Sequence, residues 1–340
     1  MSQGAAFRAL HEGEGAFIIP NPWDVGTARI LASLGFEALA TTSLGFANTL
    51  GRADGVGAVS REEVVAHCRT IVEATSLPVS ADLENCYADD PKEAADMIRR
   101  AAEAGVVGGS LEDSNAGGGN RIYDFDLAVE RVHAAVETAR SLGFPFVLTA
   151  RAENLLHGRD LDDTIRRLQA YENAGADVLY APGLRDLATI RTVVSSVTKP
   201  VNVVMSTGDP SLTAAQLAEI GVKRISVGGS LSRLALAAFL EGAREMQTAG
   251  GSRGCAGPSR RGSSGRRSRA RERYRRSSSV FSVRRSVSMR RRSAASFSSD
   301  MSSVWKTVRW ISLPLPFGTT RIGTRISTPG AGVTTWSTTP

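Results

Sequence analysis

Two hydrophobic periods alternate along residues 16–250. Short apolar runs such as AFIIP, LPVSADLE and FPFVLTAR are typical of strands that are buried on both faces. Between them, segments such as DPKEAADMIRRAAEAG repeat apolar residues every third or fourth position, which predicts amphipathic helices. Start and stop signals agree with this division, because Ser60 and Glu63 form a capping-box pattern and Gly105 follows one helical segment.

About eight strand–helix units follow one another in some 235 residues, the length expected of a (β/α)₈ barrel. The alternative α/β fold is a doubly wound open sheet, which carries a glycine-rich phosphate turn after its first strand. Here the first strand leads into IIPNPWD, without a GxGxxG pattern. The sequence therefore predicts an α/β fold of the TIM-barrel type, spanning residues 1–250.

The periodicity stops after Gly250. Residues 251–340 contain about 19 Lys and Arg against about two acids, a net charge of roughly +17 within a chain of +7. The preceding residues carry roughly −10 in compensation. A segment dominated by Arg, Ser and Gly buries too little apolar surface to fold, so we predict a disordered low-complexity tail.

Two explanations of this tail remain open. Clustered arginines bind phosphate backbones without sequence preference, so the tail could bind nucleic acid. Alternatively, an abrupt change to Arg/Ser/Gly-rich sequence is typical of GC-rich coding DNA read out of frame. A frame shifted near codon 250 should then encode an acidic, helix-patterned segment, whereas immediate stop codons would show that the tail is genuine.

Other features narrow the class of protein. No apolar stretch approaches the ~20 residues of a membrane span, and MSQGAAFRALHEGEG has no basic region before an apolar one. The three cysteines lack metal-type or redox-type spacing. We expect a cytoplasmic protein that does not interact with membranes.

Acidic residues end two of the predicted strands. VSADLE places Asp82 and Glu84 after one apolar run, and GGSLED places Glu112 and Asp113 after the next. A single acid at a strand end is more often a helix cap, but the carboxyl ends of barrel strands meet at one mouth. Hard oxygen ligands of this kind hold Mg²⁺, or Mn²⁺ in its place.

Arg151 ends the fifth predicted strand and faces the same mouth. A guanidinium is suited to bidentate capture of a carboxylate or phosphonate. Together with the acids it predicts a site for a small anionic substrate chelated to a divalent metal ion.

The stretches NPWDVGTARILASLGFEALATTSLGFANTLGRADG, SADLENCY, GGSLED and LTARAE, in this order, resemble the isocitrate lyase/phosphoenolpyruvate mutase superfamily. The likeness covers about residues 5–248 and is nearest to small phosphonomutase-like members. It implies a Mg²⁺-dependent barrel that makes or breaks C–C or P–C bonds beside a 2-oxo or 2-hydroxy carboxylate. If the C-terminus is native, it also implies a homo-oligomer, a dimer or a tetramer whose dimers exchange their last helices.

The resemblance implies roles for individual residues on the substrate side. Ser43, Leu44 and Gly45 correspond to the stretch that binds the substrate's carboxylate and oxo group. Asp54 corresponds to the loop aspartate near the reacting centre, and Arg151 to the substrate-binding arginine.

The resemblance also implies the metal ligands. Asp82 corresponds to the direct ligand, and Glu112 to the glutamate that holds the metal through water. Glu84 stands where many members carry a second aspartate.

The chain departs from the family in the loop after the fourth strand. Isocitrate lyases carry a KKCGH-type motif there, and the mutases carry a lysine, whereas this chain reads DSNAGGGNRIYDFD. Neither isocitrate lyase nor strict phosphoenolpyruvate mutase activity is expected, and no proton donor is identified. The glycines 117–119 predict a loop able to act as a lid.

These observations predict a Mg²⁺-dependent lyase that cleaves a small 2-oxo or 2-hydroxy carboxylate through an enolate. One alternative is a phosphonomutase of the phosphoenolpyruvate mutase or carboxyphosphonoenolpyruvate type. Another is a catalytically inactive barrel with a nucleic-acid-binding tail.

Overall fold

Parallel strands wind around the centre of the molecule, seen in a computed structural model that describes residues 2–115, 122–205 and 211–251. Within these residues the sheet has eight strands, in the order β1-β8-β7-β6-β5-β4-β3-β2. The strands are β1 (Phe17–Ile19), β2 (Leu39–Ala40), β3 (Val79–Asp82), β4 (Gly108–Glu112), β5 (Val147–Arg151), β6 (Val178–Tyr180), β7 (Val201–Val204) and β8 (Arg224–Ser226).

The sheet is nearly closed into a barrel. Its two edge strands, β1 and β2, come together where the Ala40 N–H donates a hydrogen bond to the Pro20 carbonyl, 3.1 Å away. The predicted (β/α)₈ barrel is therefore confirmed. Because every ladder is parallel, the carboxyl ends of all eight strands lie at one end of the barrel.

One helix, α1, precedes the first strand, and the helices that follow the strands cover the outside of the barrel. They are α1 (Gln3–Glu12), α2 (Val25–Ser33), α3 (Ser43–Thr49), α4 (Arg61–Glu73), α5 (Pro91–Glu103), α6 (Phe125–Ser141), α7 (Leu161–Asn173), α8 (Leu187–Ser195), α9 (Ala214–Glu219) and α10 (Ser230–Ala249). The predicted capping box of Ser60 and Glu63 is present at the start of α4.

Helix α3 was not predicted from the sequence, in which its seven residues lie between the second predicted strand and the capping-box pattern at Ser60. The Thr42 hydroxyl accepts a hydrogen bond from the Gly45 N–H and so begins the helix. Gly45 is required there for space, since a Cβ would lie 2.6 Å from Thr42 Cγ2 and 2.7 Å from Trp23 Cβ.

Helix α1 closes the amino-terminal end of the barrel. The Phe7 ring packs so closely on Gly108, at the start of β4, that a Cβ there would lie 2.7 Å from it. Phe7 and Phe17 are buried in an apolar cluster that also contains Val147. With this end filled by side chains, the carboxyl end is left to form a site.

His11 on α1 is a buried titratable group at the closed end. Its Nδ1 lies 2.8 Å from the Phe7 carbonyl oxygen, and its ring packs edge-on against Phe7 and Phe17. Burial, together with the positive charge of Arg224, lowers the pKa of His11 to about 3. The folded protein therefore keeps this imidazole neutral in mild acid.

We expect His11 to make the fold sensitive to acid. The unfolded chain protonates it near its usual pKa of about 6.5, so below that pH the unfolded state binds more protons. The stability from this group is complete above pH 6.5 and falls by about 2 kcal/mol at pH 5. In urea unfolding, the free energy of unfolding of the wild type should fall between pH 7 and pH 5. For His11→Leu this fall should be smaller by about 2 kcal/mol.

His133→Leu is the matched control, because His133 is exposed on α6. It should keep the wild-type dependence on pH. A His11→Leu protein that destabilises in acid as much as the wild type would contradict this account.

The predictions about the tail fall on residues 252–340, which lie outside the described residues, so disorder, nucleic-acid binding and the domain boundary stay predictions. Within the described ranges, no helix is both long and apolar enough to cross a membrane. The cytoplasmic location stays a prediction.

Candidate active site

A cavity of about 240 Å³ opens at the carboxyl ends of the strands. Asp82, Glu112 and Arg151 are the last residues of β3, β4 and β5, which are neighbours in the sheet. Glu112 and Arg151 are paired in the strand register, so their side chains emerge at the same level. Ser43, the first residue of α3, also lines the cavity, and the loops add Asp54, Glu84 and Glu153.

The guanidinium of Arg151 lies among three carboxylates. Its Nη1 is 3.1 Å from Asp82 Oδ1 and 2.8 Å from Glu112 Oε1, and its Nε donates to Glu153 Oε1 at 2.9 Å. It also lies over the Tyr180 ring, 4.9 Å from the centroid. Burial alone would lower the pKa of Arg151, but these acids outweigh it and hold the pKa well above its usual value.

Asp82 is held in place from both sides. Its Oδ2 accepts the Ser43 N–H at 3.0 Å, at the first turn of α3, and its own N–H donates to Thr41 Oγ1 at 2.8 Å. Ser110 Oγ lies 3.5 Å from Asp82 Oδ1. The carboxylate is therefore fixed at the mouth with one oxygen on Arg151 and the other on the backbone.

Glu84 and Asp54 complete the acidic side of the cavity. The Tyr87 hydroxyl donates to Glu84 Oε1 at 3.0 Å. Burial, then the charges of Asp54 and Asp82, raise the pKa of Glu84 to about 7, and burial and Asp82 raise that of Asp54 to about 6. Asp54 Oδ1 is buried without a hydrogen-bond partner. Both acids are thus crowded by negative charge.

Glu112 experiences the same crowding. Burial raises its pKa well above the usual value, and Glu153, Asp82 and Glu84 add to the rise while Arg151 opposes it. Five carboxylates, those of Asp54, Asp82, Glu84, Glu112 and Glu153, therefore line the cavity together with Arg151, and a cation would offset part of their mutual repulsion.

The donor set fits a hard cation that keeps part of its water shell. Among the described residues, no three His, Cys, Asp or Glu side chains are grouped closely enough to hold a metal ion directly. Mg²⁺ usually takes one or two carboxylates and several waters, which agrees with Asp82 as the direct ligand, Glu112 as a ligand through water and Glu84 as a further metal residue. These three assignments stay predictions.

The substrate-side residues do not all face the cavity. Ser43 lines it, but the Leu44 side chain packs against Gly229, where a Cβ would lie 2.6 Å from Leu44 Cδ2. Gly45 is buried beneath Trp23. The first turn of α3 thus presents Ser43 to the mouth, and a contact of Leu44 or Gly45 with substrate stays a prediction.

Asp113 follows Glu112, but it makes structural hydrogen bonds and does not line the cavity. Its Oδ2 accepts the Tyr171 hydroxyl at 2.6 Å and Arg167 Nη1 at 3.0 Å, and its Oδ1 accepts the Glu153 N–H at 2.8 Å. Successive strand residues point to opposite sides, so Asp113 leaves the mouth for the layer beneath α7. Its effect on the site is to hold the backbone of Glu153.

Sequence reasoning missed Arg131 on α6, which fixes the loop that carries Glu84. Arg131 is 1% exposed and donates to the carbonyls of Asn85, Ala88 and Asp89 at 2.5 to 2.6 Å. An arginine on an amphipathic helix gives no local signal of this contact. The lid prediction for residues 117–119 lies outside the described residues.

The chain thus has the architecture of the TIM-barrel enzymes, whose active sites lie in a cavity at the carboxyl ends of the strands. Residues 7–247 match the family model described as phosphoenolpyruvate phosphomutase, and the chain belongs to this family. Relatives include a solved structure of 2,3-dimethylmalate lyase, a member of the PEP mutase/isocitrate lyase superfamily. The resemblance seen in the sequence is therefore confirmed.

Several relatives have a known or provisional activity. A protein of Burkholderia cenocepacia J2315, provisionally assigned as a lyase/mutase, is 55% identical with a TM-score of 0.73, and the match covers 76% of this chain and 92% of that one. The 2,3-dimethylmalate lyase of Eubacterium barkeri is 29% identical over 234 residues, 65% of this chain and 78% of the relative. The oxaloacetate decarboxylase of Ectopseudomonas mendocina is 29% identical over 255 residues, which are 72% of this chain and 84% of the relative.

Proposed function

We propose that the protein is a Mg²⁺-dependent lyase that cleaves a bond beside the carboxylate of a small 2-oxo or 2-hydroxy acid. The observation that carries this proposal is the guanidinium of Arg151, held at 2.8 and 3.1 Å from Glu112 and Asp82 in a cavity of about 240 Å³. A cavity of this size suits a small substrate. The buried charge suits an anion bound together with a cation.

Asp82, Glu84 and Glu112 would hold the metal. A divalent ion bound there supplies a Lewis acid that stabilises negative charge on a substrate oxygen. Five acids and one arginine among the lining residues support this assignment. Burial, and then the neighbouring acids, raise the pKa of Glu84 and Glu112, and a dication would stabilise their charged forms.

Arg151 and Asp54 would act on the substrate itself. Arg151 is fixed by Glu153 and Tyr180, so its remaining N–H groups are preorganised to bind the carboxylate and to stabilise the enolate left by bond cleavage. Asp54 has a buried, unpartnered Oδ1 beside the cavity, and we propose that it assists the departing group.

The comparisons support the reaction class. The names of two relatives, 2,3-dimethylmalate lyase and oxaloacetate decarboxylase, describe bond cleavage in small carboxylates. A second structure from B. cenocepacia, provisionally assigned as a phosphonomutase, is 36% identical with a TM-score of 0.66 and is covered over 99% of its length, against 71% of this chain. Cleavage or rearrangement of a P–C bond is therefore the second candidate.

A substrate screen separates the two reactions. Purified protein with Mg²⁺ would be offered 2-oxo acids, 2-hydroxy acids and phosphonopyruvate, and released pyruvate, glyoxylate and phosphate would be measured. We expect pyruvate or glyoxylate from a C–C substrate and no phosphate. Phosphate release or phosphoenolpyruvate formation would establish the second candidate, and no turnover of any compound would favour an inactive barrel.

We further propose that the protein is a homo-oligomer whose subunits contact one another through α10. This helix exposes Leu234, Phe239 and Met246 to 44, 71 and 51%. Large apolar side chains repeated along one helix are expected at a contact between subunits. Phe239→Lys should shift the sedimenting species toward the monomer, whereas Arg244→Lys on the same helix should not. A monomeric wild type would contradict the proposal.

A further inference from the structure

The reaction proposed above needs a proton donor. Cleavage beside an oxo group leaves the bonding electron pair on the substrate fragment as an enolate, which becomes a 2-oxo product only when a proton is added to carbon. Cys68 and Cys86, the cysteines within the described residues, are fully buried, and burial raises the pKa of each thiol to about 12. Neither thiol can supply the proton, which leaves the side chains that line the cavity, or water.

Most ionisable side chains on the cavity wall already serve another purpose. Three of them are the proposed metal ligands, Asp82, Glu84 and Glu112. Glu153 accepts the Nε–H of Arg151 at 2.9 Å, and the nearby acids hold the pKa of Arg151 well above its usual value, so the guanidinium keeps its protons at neutral pH. The ionisable groups that remain are Asp54, which is proposed to assist the departing group, and His157.

His157 reaches the cavity wall from a 3₁₀ turn after β5, Asn154–His157. Asn154 is fully buried, and its side-chain amide donates to Asp163 Oδ2 at 2.7 Å. Leu155 packs so closely on Gly183 that a Cβ there would lie 2.9 Å from Leu155 Cβ. These inner contacts fix the turn, whereas His157 at its end is exposed. The backbone therefore holds the imidazole at the rim of the cavity.

An imidazole at this rim suits proton transfer to a bound enolate. Histidine is the side chain whose usual pKa, about 6.5, lies nearest to neutral pH, so it both gives and takes protons there. The other three histidines lie away from the mouth, since His11 is at the closed end, His67 on α4 stacks on Phe46 and His133 is on the outside of α6. Because His157 is exposed, solvent can return the proton that it gives up.

We propose that His157 is the catalytic acid that protonates the enolate carbon. The inference rests on the proposed function and adds its last step. The substrate bond breaks with both electrons left on the fragment held at Arg151. An N–H bond of the His157 imidazolium then breaks as the new C–H bond forms, which leaves a 2-oxo product and a neutral imidazole. The imidazole regains its proton from solvent before the next turnover.

Hydrogen–deuterium exchange at the methyl group of pyruvate tests this step, because the reverse of the protonation removes a methyl proton. NMR in D₂O would follow pyruvate with the protein and Mg²⁺, and the rate with Mg²⁺ alone would be subtracted. We expect the wild type to accelerate exchange and His157→Ala to slow it by about 100-fold or more. Free imidazole should restore His157→Ala by at least about tenfold. Calorimetry should find its affinity for oxalate with Mg²⁺ within about threefold of the wild type, because oxalate takes no proton.

His133→Ala is the matched control, since His133 is exposed on α6, and it should exchange as the wild type does. If His157→Ala does not fold, His157→Gln replaces it with the same expected loss. Exchange that survives in the His157 variant, whether or not Asp54→Asn abolishes it, overturns the assignment. So does a loss that imidazole fails to restore and that weakens oxalate binding equally, or a wild type that binds oxalate without exchanging pyruvate. Failure of oxalate to bind the wild type overturns the proposed function itself.

Discussion

Replacing Arg151 by methionine should lower kcat/KM by about three orders of magnitude. Removing one preorganised donor to a developing oxyanion typically costs a factor of about 10² to 10³. Arg151 also supplies the positive charge closest to Asp82 and Glu112, at 3.1 and 2.8 Å. We therefore expect a loss at the upper end of the range for a single donor, measured by steady-state kinetics on the best substrate found in the screen.

The same change should destabilise the metal-free protein. Breaking a buried ion pair on one side costs about 3–5 kcal/mol, because the remaining carboxylates stay buried without a counter-ion. Mg²⁺ should restore part of this stability. Arg151→Lys should be intermediate, since an ammonium group cannot reproduce the planar fork that meets Asp82, Glu112 and Glu153 together.

Arg166→Met is the control for both effects, because Arg166 is 64% exposed and its ion pair with Asp163 is at the surface. It should change stability by less than about 1 kcal/mol and leave kcat/KM unaltered. An Arg151→Met enzyme with kcat/KM within tenfold of the wild type would exclude Arg151 from the reaction.

Replacing Arg131 by methionine should lower the free energy of unfolding by about 4 kcal/mol or more. Three carbonyls lose their charged donor, and a buried acceptor without a partner costs about 1–3 kcal/mol. The loop they belong to also contains three positive-φ residues, Glu84, Cys86 and Tyr87. Without the hydrogen bonds from Arg131 this loop should relax. Because Glu84 lies on the loop, the affinity for Mg²⁺ should fall as well.

Urea unfolding and a Mg²⁺ titration of Arg131→Met measure the two effects. Arg140→Met is the matched control on α6 for the Mg²⁺ titration. Arg140 pairs with Asp177 and donates to the Phe146 and Gly175 carbonyls, away from the loop that carries Glu84, so its loss should leave Mg²⁺ affinity unchanged. Unchanged Mg²⁺ affinity in a folded Arg131→Met protein would show that the hydrogen bonds of Arg131 support the fold without positioning Glu84.

The sequence predicted the barrel because the features that define it are local. Apolar runs, helical periodicity and caps such as Ser60 with Glu63 each depend on a few neighbouring residues. The assembly of Asp82, Glu112 and Arg151 could be predicted as well, since parallel strands bring their carboxyl ends together whatever the loops do.

The remaining features depend on contacts that no local pattern records. Asp113 could have been separated from Glu112 by the two-residue period of a strand, but its partners Arg167 and Tyr171 lie more than 50 residues away. Arg131 is 46 residues from the carbonyl of Asn85 that it binds. The start of α3 at Ser43 depends on the cap by Thr42, and it decides which backbone groups reach the mouth.

The central claim is that acids from separate strands share one divalent cation at the barrel mouth, and binding of Mg²⁺ tests it most directly. Calorimetry would follow Mg²⁺ with oxalate in the wild type, in Asp82→Asn and in the surface control Asp126→Asn. We expect wild-type and Asp126→Asn proteins to bind alike, and Asp82→Asn to bind at least about 100-fold more weakly while still folded. Equal binding by Asp82→Asn, or no Mg²⁺ binding by the wild type, would contradict the account.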